Sequence, residues 1–507
     1  MVKKVIFIKN ALVLTATSLL LRLLGVFFKV WLAKIIGSEG IGLYQLVFSF
    51  YVLVATFATG GISTAVTRLI ADELILGRQS GVKKIMKRSF ALTLFIAALS
   101  CIIIFIFAEP IAKHFIGNIN ACPSLRILSF SLFFMGVSSC IKGYFIARRK
   151  TLPPSSSQIF EQIVRLAAVF LLVSRYHHLG IAYSCAAVLL ADTIAELSSC
   201  LYLYLFYRND VNRLSISGGR SAPPFSVFSK ILHIAGPITG GRYINSGLRT
   251  IENILVPKKL IEFGIKSDSA LSFFGIIKGM ALPILFFPST ILNSITTLLI
   301  PEISEANATN NNLIISRLVS CVVKITLLIG LIFGVIFYVC GEQLGILIYD
   351  DLSVGTFIKY LAPLVPLMYL DSISDGILKG LDLQMATFRH SVLDSSARVL
   401  LIYFLVPIYG QTGFLAIMYL SNILTCYLNM RRLIRETKIK IGVLNNLFLP
   451  TTYAIGGTLI TASLFNKLNL SHLLYVTLVA AFSVGLYLAF LFVSKIVTKE
   501  EIQELIR

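Results

Sequence analysis

The chain contains 507 residues, of which 56% are hydrophobic and only 14% are charged. Soluble globular domains carry about 25% charged residues, so the composition excludes an ordinary water-soluble enzyme and favours a protein with many apolar segments. The formal net charge of +21 does not indicate a nucleic-acid partner, because Lys and Arg crowd alternate loops between the apolar segments.

Long apolar segments follow one another along the chain and are typical of transmembrane helices. A helix needs ~20 mostly apolar residues to cross ~30 Å of hydrocarbon, and about fourteen segments meet this requirement. The sequence therefore predicts an all-α polytopic membrane protein. The predicted spans are 10–35, 41–66, 89–109, 125–147, 158–176, 180–206, 232–256, 271–299, 318–340, 357–379, 386–408, 411–430, 444–465 and 473–494. The prolines that predict kinked helices inside these spans are Pro237, Pro283, Pro288, Pro363 and Pro366.

The distribution of Lys and Arg between the loops predicts the orientation of the chain. If the N-terminus is inside, roughly three times as many basic residues fall in inside segments as in outside segments. Dense inside clusters occur at 83–88, 148–150 and 431–440. We therefore expect both termini of this multi-pass protein to be cytoplasmic.

An internal repeat relates the first half of the chain to the second. Residues 42–73 align without a gap to residues 275–306, at a spacing of 233 residues, and later matches follow in the same order. The matched positions are Gly42 with Gly275, Lys142-Gly143 with Lys379-Gly380, Glu161-x3-Arg165 with Asp394-x3-Arg398, and Gly180 with Gly413.

The repeat predicts two six-helix lobes of the same orientation, related by a pseudo-two-fold axis along the membrane normal, with a central site between them. The predicted organisation is an N-terminal lobe at 1–207, a polar cytoplasmic linker at 208–230, a second lobe at 231–434, and helices 13 and 14 with a cytoplasmic tail at 435–507. The end of the tail, 495–507, is predicted as an interfacial helix or a frayed end.

Five basic residues inside predicted spans are expected to line a cavity. Arg22 and Lys29 in span one are seven residues apart, as are Arg242 and Arg249 in span seven, so each pair shares a helix face; the fifth is Lys278 in span eight. A centred Arg or Lys costs about 2.5–3.5 kcal/mol on insertion scales, and such residues usually face a polar cavity. Two basic stripes suit a bulky anion such as a diphosphate, which Arg binds through its planar fork. The alternative is that these side chains reach the lipid headgroups.

Two further pairs of opposite charge are predicted to stabilise structure. Glu161 with Arg165 in span five, and Asp394 with Arg398 in span eleven, are spaced i, i+4 on a helix. Such neighbours can form ion pairs, so we expect one ion pair in the corresponding helix of each half.

Two acidic pairs are candidates for ion or proton coupling. Asp192 with Glu196 in span six, and Asp371 with Asp375 in span ten, are also spaced i, i+4. Two carboxylates this close in a low dielectric do not both ionise without a cation or proton between them. The alternative is that each carboxylate pairs with a basic residue on a neighbouring helix.

The sequence contains none of the usual catalytic or nucleotide-binding motifs. GxxxxGK[ST], GxSxG and HExxH are absent, and none of the eight cysteines belongs to a CxxC pair. We therefore predict no enzymatic activity, no nucleotide, no metal site and no disulfide framework. A coupling cation or proton is the only cofactor that the pattern allows.

The opening of the chain resembles a known family. RLLGVFFKVWLAKIIGSEGIGLYQL at 22–46 and EQIVR at 161–165 are similar to the stage V sporulation protein B family, within the multidrug/oligosaccharidyl-lipid/polysaccharide (MOP) exporter superfamily. The chain also resembles, more distantly, the lipid II flippases, which carry arginines in the first helix that face a central cationic cavity. Arg22 matches the first of these arginines; at the next such position the chain has Phe28, with Lys29 shifted by one.

The resemblance implies a flippase for undecaprenyl-diphosphate-linked glycan precursors of spore cortex or cell-wall peptidoglycan, in the bacterial cytoplasmic membrane. We expect a monomer that moves the glycan head by alternating access through the cationic cavity while the lipid tail stays in the bilayer. One alternative is a cation-coupled multidrug exporter of the same superfamily, which predicts an acidic or aromatic cavity with few basic residues. Another is a scaffold that recruits cell-wall synthesis proteins without transport.

Overall fold

The computed structural model describes residues 2–212, 224–309, 311–439, 442, 444–468 and 470–496, with side chains at these positions except 2–16, 18, 19, 22, 79, 224–227, 295, 297, 298 and 444. The described chain consists of helices and short connections, without strands. The α-helices are α1 Val2–Thr59, α2 Ile62–Ile75, α3 Gln79–Ile106, α4 Ala108–Pro110, α5 Cys122–Ala147, α6 Leu152–Tyr176, α7 Ile181–Asn212, α8 Pro224–Glu262, α9 Ser267–Phe274, α10 Leu282–Leu285, α11 Ser289–Ala308, α12 Asn312–Tyr349, α13 Leu352–Leu361, α14 Val365–Gly380, α15 Gln384–Thr437, α16 Leu449–Asn466 and α17 His472–Val493.

The lengths of the helices confirm a polytopic all-α membrane protein. Eleven segments of the described chain are long and apolar enough to cross a membrane. Two of them, Leu23–Ile75 and Gln384–Thr437, contain 53 and 54 residues, which is about 80 Å of helix and leaves room for two crossings of a ~30 Å core. α8 has 39 residues and is also long enough to cross. Counted in this way, the described helices agree roughly with the fourteen predicted spans.

Glycines with positive φ divide the two long helical segments. Gly37 in α1 has φ 71°, and Gly410 in α15 has φ 57° and ψ −131°; a residue with a Cβ is strained in this region. Gly180, with φ 105°, makes the turn between α6 and α7 in the first half. The sequence alignment paired Gly180 with Gly413, which is wrong by three residues, because Gly413 is helical and the turn of the second half is at Gly410.

The predicted spans two and eight are not continuous helices. Span two is interrupted at Gly60-Gly61, between α1 and α2, and span eight contains the π-helical turn Gly275–Ala281 followed by a break at 286–288. Four of the five predicted prolines lie at such interruptions, whereas Pro237 lies inside the uninterrupted α8.

The ends of the predicted linker are helical. α7 continues to Asn212 and α8 begins at Pro224, so the linker is shorter than the predicted 208–230, and its centre, 213–223, lies outside the described residues. Most of the predicted tail, 497–507, also lies outside the described residues. All eight cysteines are free thiols, as the sequence predicted.

One helix–helix contact recurs in both halves of the chain and supports the internal repeat. Thr67 Oγ1 on α2 donates to the Gly143 carbonyl on α5 at 3.0 Å, and Ser304 Oγ on α11 donates to the Gly380 carbonyl on α14 at 2.8 Å. Each contact joins residues 76 positions apart. The ungapped alignment at a spacing of 233 is therefore out of register by about one helical turn at this contact, where the spacing between halves is 237.

The chain divides into two compact units. Unit 1 comprises the described residues up to Ile261 together with Ile265–Ser272, and unit 2 comprises Glu262–Gly264 and the described residues from Phe273 onward. The core of unit 1 is built by α2, α3, α5, α7 and the start of α8, and in unit 2 α16 and α17 pack on α12. α8, which the sequence analysis assigned to the second lobe, thus groups with unit 1. The predicted lobe boundaries stay a prediction.

The recurring contact predicts different tolerance of the two matched glycines to alanine. A Cβ added at Gly143 would lie 2.6 Å from the Ser63 carbonyl oxygen, whereas a Cβ added at Gly380 would lie no closer than 3.6 Å to Ile300. We expect Gly143→Ala to destabilise the protein by about 1–3 kcal/mol through overpacking. Gly380→Ala should be neutral or slightly stabilising. Thermal unfolding of both variants in detergent, followed by circular dichroism, measures the difference; equal melting temperatures would contradict it.

Candidate functional site

α8 lies antiparallel against the second half of α1, and polar side chains hold this contact. Asn253 Nδ2 donates to Ser49 Oγ at 3.0 Å, and Thr250 Oγ1 donates to the Ser49 carbonyl at 3.0 Å. Further along, the rings of Phe57 and Tyr243 meet edge to face at 5.8 Å. These contacts show that the two helices run antiparallel and that α8 turns the face with Thr250 and Asn253 toward α1.

Arg242 and Arg249 lie together at the edge of this contact. They are seven residues apart, so they lie within about 20° of each other around the helix and about 10.5 Å apart along it. The side that faces α1 carries Thr250 and Asn253, and the arginines flank it. Both are exposed, which in a membrane protein means lipid, headgroups or a water-filled cavity. The structure thus preserves the basic face of α8 that the sequence predicted.

The two arginines differ in their partners. Arg242 donates from its guanidinium to the Gly60 carbonyl oxygen at 2.6 Å. This carbonyl belongs to the interruption that follows α1, where backbone acceptors lack helical partners, so Arg242 caps the end of α1. Arg249 makes no ion pair or hydrogen bond with any described residue. Arg249 is therefore the arginine of α8 whose donors remain available to a ligand.

The other predicted cavity residues are distributed over both units. Lys29 on α1 is partly buried and makes no ion pair within the described chain; nearby, the ring of Trp31 packs at 5.7 Å from that of Phe170 on α6. Lys278 is partly buried in unit 2, in the π-helical turn that precedes α10. The side chain of Arg22 lies outside the described residues. Lys29, Arg242 and Arg249 thus belong to unit 1 and Lys278 to unit 2.

A buried cluster of charges in unit 1 is centred on Arg165 of α6. Its guanidinium lies 2.8 Å from Glu161 Oε1, 2.7 Å from Asp192 Oδ1 on α7, and donates to Gln162 Oε1 at 2.6 Å. Asp192 is only 6% exposed. Asp192 is therefore paired with a neighbouring helix, which is the alternative that the sequence left open for this acidic residue. Arg165 joins α6 to α7 as well as to its own helix.

Glu196 extends this cluster toward α5 and α1. It lies one turn after Asp192, has Glu161 and Lys142 among its charged neighbours, and makes no ion pair or hydrogen bond with a described residue. The cluster thus contains three carboxylates, Glu161, Asp192 and Glu196, and two basic residues, Arg165 and Lys142. The carboxylates exceed the bases by one, and Glu196 is the carboxylate with the fewest partners in the described chain.

A related cluster lies in unit 2. Arg398 of α15 pairs with Asp394 Oδ2 at 2.9 Å, and Ser421 donates to Asp394 Oδ1 at 2.6 Å. Asp371 and Asp375 of α14 do not share one partner. Asn429 donates to Asp371 Oδ1, whereas Asp375 pairs at 2.5 Å with the exposed Lys379. Asp394 and Arg398, predicted as i, i+4 neighbours, form the expected ion pair. Asp371 and Asp375, predicted as an acidic pair, have different partners.

Several members of these clusters could not be found by sequence spacing alone. Asn429 and Ser421 reach the carboxylates from other parts of α15, and His390 reaches the amide of Asn429. Gln162 reaches Arg165 from the preceding turn. The internal repeat was the sequence feature that could have located these clusters, because Arg165 on α6 and Arg398 on α15 lie at matched positions and each has carboxylates around it.

The fold defines a polytopic helical membrane protein. The chain belongs to the polysaccharide biosynthesis protein family, whose profile matches residues 7–307. Stage V sporulation protein B of Bacillus subtilis (strain 168) is 27% identical over 416 residues, covering 80% of this chain and 79% of that protein. Lipid II flippase MurJ of the same organism is 21% identical over 462 residues, covering 84% and 82%. The family predicted from the sequence is confirmed.

Solved structures of transporters share the fold. A lipid II flippase MurJ in an inward closed conformation superposes with a TM-score of 0.72 at 15% identity, covering 97% of this chain and 99% of that one. A multidrug resistance MATE transporter of the MOP superfamily, inward-facing, gives a TM-score of 0.63 at 15% identity, covering 85% and 100%. These similarities place the chain in the MOP-superfamily fold.

The Arg165 cluster predicts a rescue between two helices. Arg165→Gln removes the guanidinium from two carboxylates and should destabilise the protein by about 3 kcal/mol, because breaking a buried pair leaves an uncompensated charge. Adding Asp192→Asn removes the charge and should restore part of the loss. Melting temperatures of the single and double variants in detergent test this; a double variant no more stable than Arg165→Gln would show that Asp192 is not the source of the loss.

Proposed function

We propose that this protein is a flippase for undecaprenyl-diphosphate-linked glycan precursors of the spore cortex or cell wall. The observation that carries the proposal is the exposed basic face of α8, on which Arg249 has no partner in the described chain. The relatives support it, since one is named a lipid II flippase and another is named for stage V of sporulation. Arg22, Lys29, Arg242, Arg249 and Lys278 are the proposed contacts of the diphosphate.

The negative charge of a diphosphate can balance an intramembrane cation that has no acidic partner. Holding an Arg or Lys at the centre of a bilayer costs about 2.5–3.5 kcal/mol on insertion scales, and a structural arginine offsets this cost with a carboxylate, as Arg165 and Arg398 do. Arg249 has no such offset among the described residues. A bound phosphate would supply it through paired, charge-assisted hydrogen bonds, which the planar guanidinium forms well.

The proposed transport cycle is alternating access. The glycan head enters from the cytoplasmic leaflet, the basic residues neutralise the diphosphate in a cationic cavity, and the polyprenyl tail stays among the lipids. Both termini are cytoplasmic in this proposal, following the loop charges, and one monomer performs the cycle. No nucleotide takes part; the drive is an ion gradient or the membrane potential, which supplies ~2.3 kcal/mol per charge per 100 mV.

Charge reversal on α8 tests the proposal. Arg249→Glu should reduce translocation of a fluorescent undecaprenyl-diphosphate-linked glycan in proteoliposomes by at least about tenfold, because the carboxylate repels the diphosphate. Arg249→Lys keeps the charge and should retain most of the activity. Protection of the labelled head from a membrane-impermeant quencher measures translocation.

Lys230→Glu is the matched control, since Lys230 is exposed on the same helix but lies before predicted span seven. It should translocate as the parent does. Folding of each variant is checked by its elution profile and melting temperature in detergent. Undiminished translocation by a folded Arg249→Glu variant would rule out the cationic site. If the parent protein binds cell-wall synthesis proteins but does not translocate the glycan, the result would favour the scaffold alternative.

A further inference from the structure

Three side chains of unit 2 form a continuous hydrogen-bonded chain that no part of the proposed substrate site uses. His390 Nδ1, near the start of α15, lies 2.8 Å from Asn429 Oδ1, and Asn429 Nδ2 donates to Asp371 Oδ1 on α14 at 2.8 Å. Asn429 is only 6% exposed, whereas His390 and Asp371 are each partly exposed. A buried amide thus connects two titratable groups.

The chemistry of the amide links the protonation of its two neighbours. With Nδ2 toward Asp371, the carboxylate accepts as an anion, and His390 must carry a proton on Nδ1 to donate to the amide oxygen. With the amide turned over, its oxygen faces Asp371, which must then be protonated, and its nitrogen donates to an unprotonated Nδ1. An imidazolium at His390 fits only the first arrangement, and the second arrangement requires a neutral His390 and a protonated Asp371. The two arrangements therefore favour the titrating proton at opposite ends of the chain.

Among the described residues, Asp371 has no ion-pair partner of its own. Its charged neighbours are Asp375 on the same helix and Asp394 and Arg398 on α15. Arg398 pairs with Asp394 and Lys379 pairs with Asp375. From α11, which also packs on α14, the neutral Asn293 accepts from Ser372. The proton, rather than a fixed cation, is therefore the charge that can balance Asp371.

The donor geometry disfavours a metal ion at this carboxylate. A hard cation needs oxygen ligands around it, but Asn429 directs its N–H groups at Asp371 and its oxygen at His390. In this arrangement Asn429 offers Asp371 hydrogen-bond donors and no oxygen ligand, so a sodium ion would require the amide to turn over.

The position of the chain suits exchange with one side of the membrane. His390 lies about 9 Å from the start of α15, and Asp371 about 14 Å from the end of α14; the predicted orientation places both of these helix ends in the cytoplasm. His390 is thus the end of the chain nearer to cytoplasmic water.

We propose that His390, Asn429 and Asp371 form a proton-binding site that couples proton movement to the transport cycle. His390 takes one proton from the cytoplasmic side, the imidazole loses it as Asp371 gains it, and the amide of Asn429 turns over between the two states. Coupling to lipid-linked glycan rests on the proposed function, whereas proton binding does not.

Charge displacement after a pH step tests the site in the absence of any lipid-linked glycan. The full chain in liposomes is adsorbed on a solid-supported membrane and stepped from about pH 8 to about pH 6, which spans the ordinary range of histidine titration. We expect a transient current in the parent protein. Asp371→Asn, which keeps the shape but cannot titrate, should reduce the displaced charge about tenfold or more.

His390→Gln and Asp375→Asn complete the experiment. His390→Gln should keep a current but move its midpoint toward higher pH, because it removes the imidazolium that favours the ionised carboxylate. Asp375→Asn, one turn away and paired with Lys379, should keep the displaced charge but move its midpoint toward lower pH, because it removes a negative neighbour of Asp371. Currents unchanged in both Asp371→Asn and His390→Gln would overturn the proposal, as would a response to a sodium step at constant pH that Asp371→Asn abolishes. A pH response without glycan translocation would refute the proposed function and leave the proton site standing.

Discussion

The scarcity of water in the membrane interior is the constraint on which the arrangement of charges depends. A buried carboxylate without a partner costs several kcal/mol there. Asp192 is ion-paired with Arg165, and Asp371 and Asp394 each accept a hydrogen bond from the protein. Arg165 and Arg398 pair with carboxylates, whereas Arg249 pairs with none of the described residues and is the arginine proposed to bind a ligand.

The two halves keep related contacts with different partners. Arg165 contacts two carboxylates and an amide, whereas in the second half Arg398 pairs with Asp394, which also accepts a hydrogen bond from Ser421. The contact of α2 with α5 leaves less space at Gly143 than the contact of α11 with α14 leaves at Gly380. Matched helices thus meet at matched positions, and the partners and the space at those positions differ between the halves.

Local features could be predicted from the sequence, and contacts between distant segments could not. Helical spans and i, i+4 neighbours depend on periodicity within one helix, so Glu161 and Arg165 were found from spacing. The contact of Arg165 with Asp192 depends on how α6 and α7 rotate against each other. The contact of Arg242 with Gly60 depends on the helix break after α1, and the sequence Gly60-Gly61 does not by itself predict the position of that break. Asn429 gave no signal because a polar residue in a span has many roles.

The single tryptophan has a consequence for experiments on this protein. Trp31 lies two residues after Lys29 on α1 and packs against Phe170 of α6, so all of the indole emission of the full chain comes from one known point, the contact of α1 with α6. Its spectrum should respond to polarity and motion at that point alone. The unmodified protein thus carries its own optical reporter, and ligand titrations need no attached dye.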